Sequence, residues 1–107
     1  MTLFDGMDFE GPIDIRSMPS VPGVYMITTI ASGGVKILGI YDGGEDMKTS
    51  AENNPKKGCW QINRKDEDPV AYFMPETDPV KRERVCYHIV SRRPYDLPCV
   101  DPIRDDF

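Results

Sequence analysis

The sequence predicts an α+β fold: a small three-stranded antiparallel sheet, built on a central β-hairpin and flanked by helices. Three observations carry this. Gly23–Ile30 and Val35–Tyr41 are two β-rich runs separated by Ala31-Ser32-Gly33-Gly34. A loop of that length suits a hairpin, because Gly adopts positive φ without steric cost. Val70–Met74 is a third β-rich run, bounded by Pro69 and Pro75. Asp78-Pro79 then opens a long helical pattern, with Asp as N-cap and Pro at the first helical position. Strands and helices in this order give an α+β domain, not an alternating parallel one.

The 107 residues suffice for one domain with a modest core. Hydrophobic residues make up 39%, too many for a wholly disordered chain. No apolar run approaches the ~18–20 residues of a membrane span. Asp5, Asp8 and Glu10 interrupt any charged-then-apolar leader pattern. A cytoplasmic protein with no membrane partner is therefore expected. The formal net charge of -5 counts against non-specific nucleic-acid binding, which is driven by counterion release. Cys59, Cys86 and Cys99 form no CxxC pair, and an odd count argues for buried, reduced thiols over a disulfide framework. With one His among them, no metal site is expected from the spacing.

Taken in order, residues 1–19 read as an acidic N-terminal arm, partly disordered, ahead of a single domain over residues 20–107. Gly6, Gly11, Pro12 and Pro19 break any long element there. In the hairpin, period-2 alternation groups Tyr25, Ile27 and Thr29 on one face and Val24, Met26, Thr28 and Ile30 on the other. On the second strand it groups Ile37, Gly39 and Tyr41 against Leu38 and Ile40. Both faces are largely apolar, so helices are expected to cover both. Glu45–Asn53 reads as a short helix with Met47 and Ala51 inward, closed by Asn54-Pro55. Cys59–Ile62 is a short apolar anchor around Trp60, expected to be half buried. The last helix runs from Pro79 to about Arg92, with Val85, Cys86, Ile89 and Val90 as its buried stripe. Lys81, Arg82, Arg84, Arg92 and Arg93 outweigh Glu83 around it. The tail after Pro94 is expected to be extended.

On these elements the chain resembles a GIY-YIG nuclease domain over roughly residues 20–101. Pro22-Gly23-Val24-Tyr25 matches the first motif. Ile37-Leu38-Gly39 falls where the second is expected. Arg82–Cys99 is similar to the closing helix and its trailing Pro-Cys-Asn. The literal Gly39-Ile40-Tyr41 lies on the second strand and is not the first motif. The resemblance implies a site of two hairpin tyrosines, a following arginine and a late glutamate. That glutamate holds a divalent metal, which polarises the scissile phosphate while a tyrosine activates water. Here Tyr25 is kept. The second tyrosine position holds Ile37, the arginine region offers Lys48, which lacks the planar guanidinium fork, and the glutamate aligns with Cys86. A thiol is a poor ligand for Mg²⁺. Tyr41 and Glu83 are the candidate replacements, each displaced by about 5 Å from the position it would fill.

The expected function is thus a catalytically degenerate GIY-YIG-like domain acting as a small binding module. Its partner would be nucleic acid or an acidic protein surface, met through Lys56, Lys57, Arg82, Arg84, Arg92 and Arg93. No cofactor is expected on this reading. One alternative is a divergent metal-dependent endonuclease using Tyr25, Tyr41, Lys48 and Glu83 with Mg²⁺ or Mn²⁺. Another is a regulatory protein-interaction module, which requires an exposed apolar patch. Three bland readings stand beside these: Cys86 as a small core residue, His88 as a partly exposed helix residue, and the basic helix exterior as a solvated face. Oligomeric state is left open by the sequence.

Overall fold

The computed structural model describes residues 2–4, 6–91 and 97–100. Five strands form one antiparallel sheet in the order β1-β2-β5-β3-β4. They are β1 Thr2–Phe4, β2 Met7–Ile13, β3 Gly23–Ala31, β4 Gly34–Asp42 and β5 Val70–Pro75. The helices are α1 Met47–Glu52, α2 Lys57–Ile62 and α3 Pro79–Val90.

The α+β class and the antiparallel sheet agree with the sequence, but the sheet has five strands, not three. The stretch expected to be an arm supplies β1 and β2. Its glycines and proline do not break the sheet; they shape it. Gly6, at φ 80°, turns the β1–β2 hairpin. Gly11 sits at φ 133° where β2 slips register against β5, between Glu10↔Phe73 and Ile13↔Ala71. A Cβ on Gly11 would lie 2.7 Å from the Ala71 carbonyl oxygen, so only glycine fits this close approach. Pro12 follows in the same irregularity, where no ladder donor is needed.

The central hairpin turns through Ser32 and Gly33, with φ of 52° and 79°. Two successive positive φ values mark the type I′ geometry that matches strand twist. β3 lies between β4 and β5, and its residues from Gly23 to Thr29 are all buried. Helices cover both faces, as expected for a strand that is apolar on both sides. On one face Tyr25, Ile27, Leu38 and Ala71 pack with Met47 and Ala51 of α1, Trp60 of α2, Met18 and Cys99. On the other, Val24, Met26, Ile37, Ile40 and Tyr72 pack with Phe9 and Ile89, and Val85 and Cys86 lie against them.

One residue changes the expected faces of β4. The pairing steps from Ile27↔Gly39 to Thr28↔Ile37, which leaves Leu38 as an extra, bulged residue. Beyond the bulge the alternation inverts. Leu38 joins the α1–α2 core, while Ile37 and Ile40 join the α3 core. Ile37 therefore does not share a face with Tyr41, nor Leu38 with Ile40.

The helix signals hold. The Asp46 carboxylate accepts from the Thr49 amide at 3.2 Å and caps α1, with Met47 and Ala51 buried beneath. Asp78 accepts from the Val80 amide at 2.9 Å and caps α3, with Pro79 in the first turn. The apolar anchor around Trp60 is a helix, α2, and Trp60 is buried outright, not half buried.

The expectation of reduced thiols is also corrected. Cys59 and Cys99 are joined in a disulfide across a sequence separation of 40. The two residues meet because α2 and the segment 97–100 both pack on the Trp60 face of the sheet. Linear spacing carries no trace of that convergence. Cys86 is the free thiol of the described residues.

Candidate functional site

β4 and β3 are in register such that Tyr41 stands directly across from Tyr25. The rings lie 5.4 Å apart between centroids, and Trp60 packs next to Tyr41, tilted, at 5.8 Å. Gly39 makes this possible: the Tyr41 ring lies over it, so close that a Cβ there would meet Tyr41 Cζ at 2.7 Å. The tyrosine that partners Tyr25 on β4 is thus Tyr41, reached without Ile37, which points into the opposite core.

Both phenols are engaged inside the protein. Asn54 Nδ2 donates to Tyr25 Oη at 2.9 Å, and Tyr25 Oη shares a hydrogen bond with Ser50 Oγ at 2.9 Å. Asn54 in turn accepts from the Lys56 amide at 2.8 Å. Trp60 Nε1 donates to Tyr41 Oη at 2.9 Å, and Tyr41 Oη donates to the Cys99 carbonyl at 2.6 Å. Burial raises the Tyr25 phenol above its ordinary range, against the lowering effect of the Ser50 and Asn54 hydrogen bonds. A phenol held protonated in this way does not serve as a general base near neutral pH.

Above this pair opens a cleft of about 750 Å³ between β4, α1, α3 and the segment 97–100. Its lining is mostly apolar, with Ile40, Cys86, Tyr87, Val90 and Val100; Ser50, Asn53, Lys56 and Glu83 supply polar groups. Tyr87 stands 63% exposed at the rim. Burial, with Asp42 and Glu83 nearby and Arg82 opposing, pushes the Cys86 thiol up to about 12. Cys86 is therefore a packed, protonated thiol and no nucleophile at neutral pH.

The cleft gathers Tyr41, Glu83 and Lys56 from the sequence-derived candidates, with Tyr25 beneath them. Lys48 is not among them. It turns the other way, its ammonium donating to the Arg16 carbonyl at 3.3 Å and lying 3.8 Å from Glu52. Nor do the described basic residues form one surface. Arg82 is 4% exposed, so it is no contact residue. Its guanidinium donates to Asp42 Oδ1 at 2.8 Å and to the carbonyls of Glu76 and Thr77 at 3.0 and 3.1 Å. The planar fork ties the start of α3 to the end of β4. Lys57 donates to the Glu52 carbonyl and borders a separate depression beside Trp60 and Arg64. Arg84 is exposed on the outer side of α3. Arg92 and Arg93 lie outside the described residues. Among the described residues no group of three or more His, Cys, Asp or Glu side chains could hold a metal ion. No helix there is long and apolar enough to cross a membrane.

Sequence reasoning missed Ser50, Asn54 and the disulfide. Asn54 was legible only as the residue before Pro55, a helix stop, and nothing in its position announced a partner on β3. Among known proteins, no family model, no curated relative and no solved structure matches the chain.

Proposed function

We propose that this chain is a catalytically degenerate GIY-YIG-like domain that binds a protein segment in the cleft above Tyr25 and Tyr41. One observation carries the reading: the cleft is open and mostly apolar, while the phenols beneath it are committed to internal hydrogen bonds. Such a site offers apolar contact with a few polar groups at the rim, which is the anatomy of a peptide-binding groove. Tyr87 at the rim is a residue type enriched among binding hot spots. The run β3-β4-α1-α2-β5-α3 supports the family resemblance, since it follows the family's order of hairpin, helices, strand and closing helix. The dispersal of the described basic residues and the buried state of Arg82 favour a protein partner over nucleic acid.

The test is a random-peptide display selection on the purified protein, with binders re-assayed on Tyr87→Ala. Binders lost in that variant support the cleft. Binders indifferent to it overturn the assignment. A salt-sensitive mobility shift with DNA or RNA, and no peptide binders, would move the partner to nucleic acid.

A second reading has its own observation. Tyr41 and Glu83 line the same cleft, so a phenol and a carboxylate do converge on open space. A metal-dependent endonuclease would need that carboxylate to take Mg²⁺ or Mn²⁺ with water as the remaining ligands.

A further inference from the structure

We propose that the Cys59–Cys99 disulfide is a clasp, opened by a dithiol reductant, that holds one wall of the cleft in place beside Tyr41. The proposal concerns regulation of the cleft proposed above, but its test needs no ligand.

Among the described residues, Leu97 packs against the α3 core, and the polar and covalent ties of the segment 97–100 to the sheet and α2 converge on Cys99. The Cys99 amide donates to the Leu38 carbonyl at 2.9 Å, at the bulge on the outer edge of β4. The Cys99 carbonyl accepts the Tyr41 hydroxyl at 2.6 Å. The Cys99 sulfur is bonded to α2 through Cys59. Cys99 and Val100 both line the cleft. Release of this residue therefore removes a wall of the cleft, a cover from the β4 edge, and the acceptor of Tyr41 together.

The bond is also placed to be exchanged. Cys99 is 1% exposed, whereas Cys59 is only partly buried, so the Cys59 side of the bond is the one nearer solvent. Asn63 Nδ2 lies 3.3 Å from Cys59 Sγ and 3.8 Å from Cys99 Sγ. An amide N–H in that position stabilises a departing thiolate. A thiolate of the reductant attacks Cys59 Sγ, the protein S–S bond breaks, and Cys99 leaves as a thiolate that takes up a proton. The second thiolate of the reductant then displaces Cys59. The dithiol becomes a disulfide, and the protein gains two electrons and two protons. In a reducing compartment such as the cytoplasm expected from the sequence, a disulfide is characteristically transient and regulatory.

The experiment is hydrogen exchange resolved by residue, on the intact protein before and after dithiothreitol. On reduction, protection of the Cys99 amide is expected to fall at least about tenfold, to that of an open segment, while the Tyr25, Met26 and Ile27 amides of β3 stay protected and lose only what the drop in global stability takes. Cys59→Ser without reductant is expected to show the same pattern. Unchanged protection at Cys99 would overturn the clasp, because the segment then holds itself in place. Collapse of β3 protection to that of an unfolded chain would also overturn it, because the bond is then a staple for the whole fold. In Asn63→Ala the rate of reduction is expected to drop about fivefold, the worth of one hydrogen bond. An unchanged rate overturns the role given to Asn63.

Discussion

Tyr41 faces Tyr25 across the β3–β4 ladder, and its hydroxyl joins Trp60 of α2 to the backbone of Cys99. One side chain thus links β4, α2 and the terminal segment beneath the cleft. The arrangement depends on Gly39, over which the Tyr41 ring lies. Gly39→Ala is expected to destabilise the fold by about 1–3 kcal/mol, because a methyl group there displaces the ring into packed neighbours. Urea denaturation measures the loss, and Trp60 emission should shift as its hydrogen-bond acceptor moves.

Tyr25→Phe tests whether the first phenol is structural. The substitution leaves the Asn54 amide without its acceptor in a buried site and removes a partner from Ser50. A cost of about 1–3 kcal/mol is expected in denaturant unfolding. A variant as stable as the parent would show that the hydroxyl is dispensable to the fold.

Arg82→Ala separates a buried tie from a contact residue. Asp42 and the carbonyls of Glu76 and Thr77 would lose their donor. Asp42 is partly open to water, which tempers the penalty for the charge left behind. A loss of about 2–3 kcal/mol is expected, by equilibrium unfolding.

Alkaline pH tests the burial of Cys86. Its pKa is raised in the folded state from 9.0 to about 12, chiefly by burial. Folding therefore favours the neutral thiol. That contribution is complete below about pH 9 and is lost as pH rises from there towards 12. Tyr25, raised in the same direction, adds to the loss above its ordinary value of 10.0. Stability should be flat through neutral pH on this account and fall on the alkaline side. At pH 8, iodoacetamide should label Cys86 at least about tenfold more slowly in the native protein than in urea.

Reduction of the disulfide tests a stability effect apart from the clasp. Opening a cross-link that spans 40 residues is expected to cost about 2–4 kcal/mol. That is within the stability of an ordinary domain of this size, so the reduced protein should remain folded with a lower urea midpoint.

Much of the fold is legible in local chemistry. Asp46 and Asp78 cap their helices as side-chain hydrogen bonding dictates, and Met47 with Ala51 follows helical spacing inward. The hairpin around Ser32-Gly33 is likewise local. What was not legible depends on pairing between distant strands. β2 reads as broken because Gly11 and Pro12 look like terminators, yet they sit at a register slip against β5 that only the partner strand defines. The bulge at Leu38 leaves no mark in composition, and it alone moves Ile37 away from Tyr41. In the candidate site, Glu83 and Tyr41 line one cleft, but the face that Tyr41 was expected to share with Ile37 is abolished by the bulge. Arg82 was misread because a charged side chain on a helix gives no sign that Asp42 and two carbonyls wait for it inside.

With the tyrosine pair structural, the cleft above it is expected to bind without cutting. The direct measurement is incubation of the purified protein with single-stranded, duplex and branched DNA and with RNA, with and without Mg²⁺ and Mn²⁺, followed for strand scission. No cleavage is expected on any substrate with either metal. Metal-dependent cleavage that disappears in Glu83→Ala and in Tyr41→Phe would contradict this expectation, and would make the cleft the active site of an endonuclease.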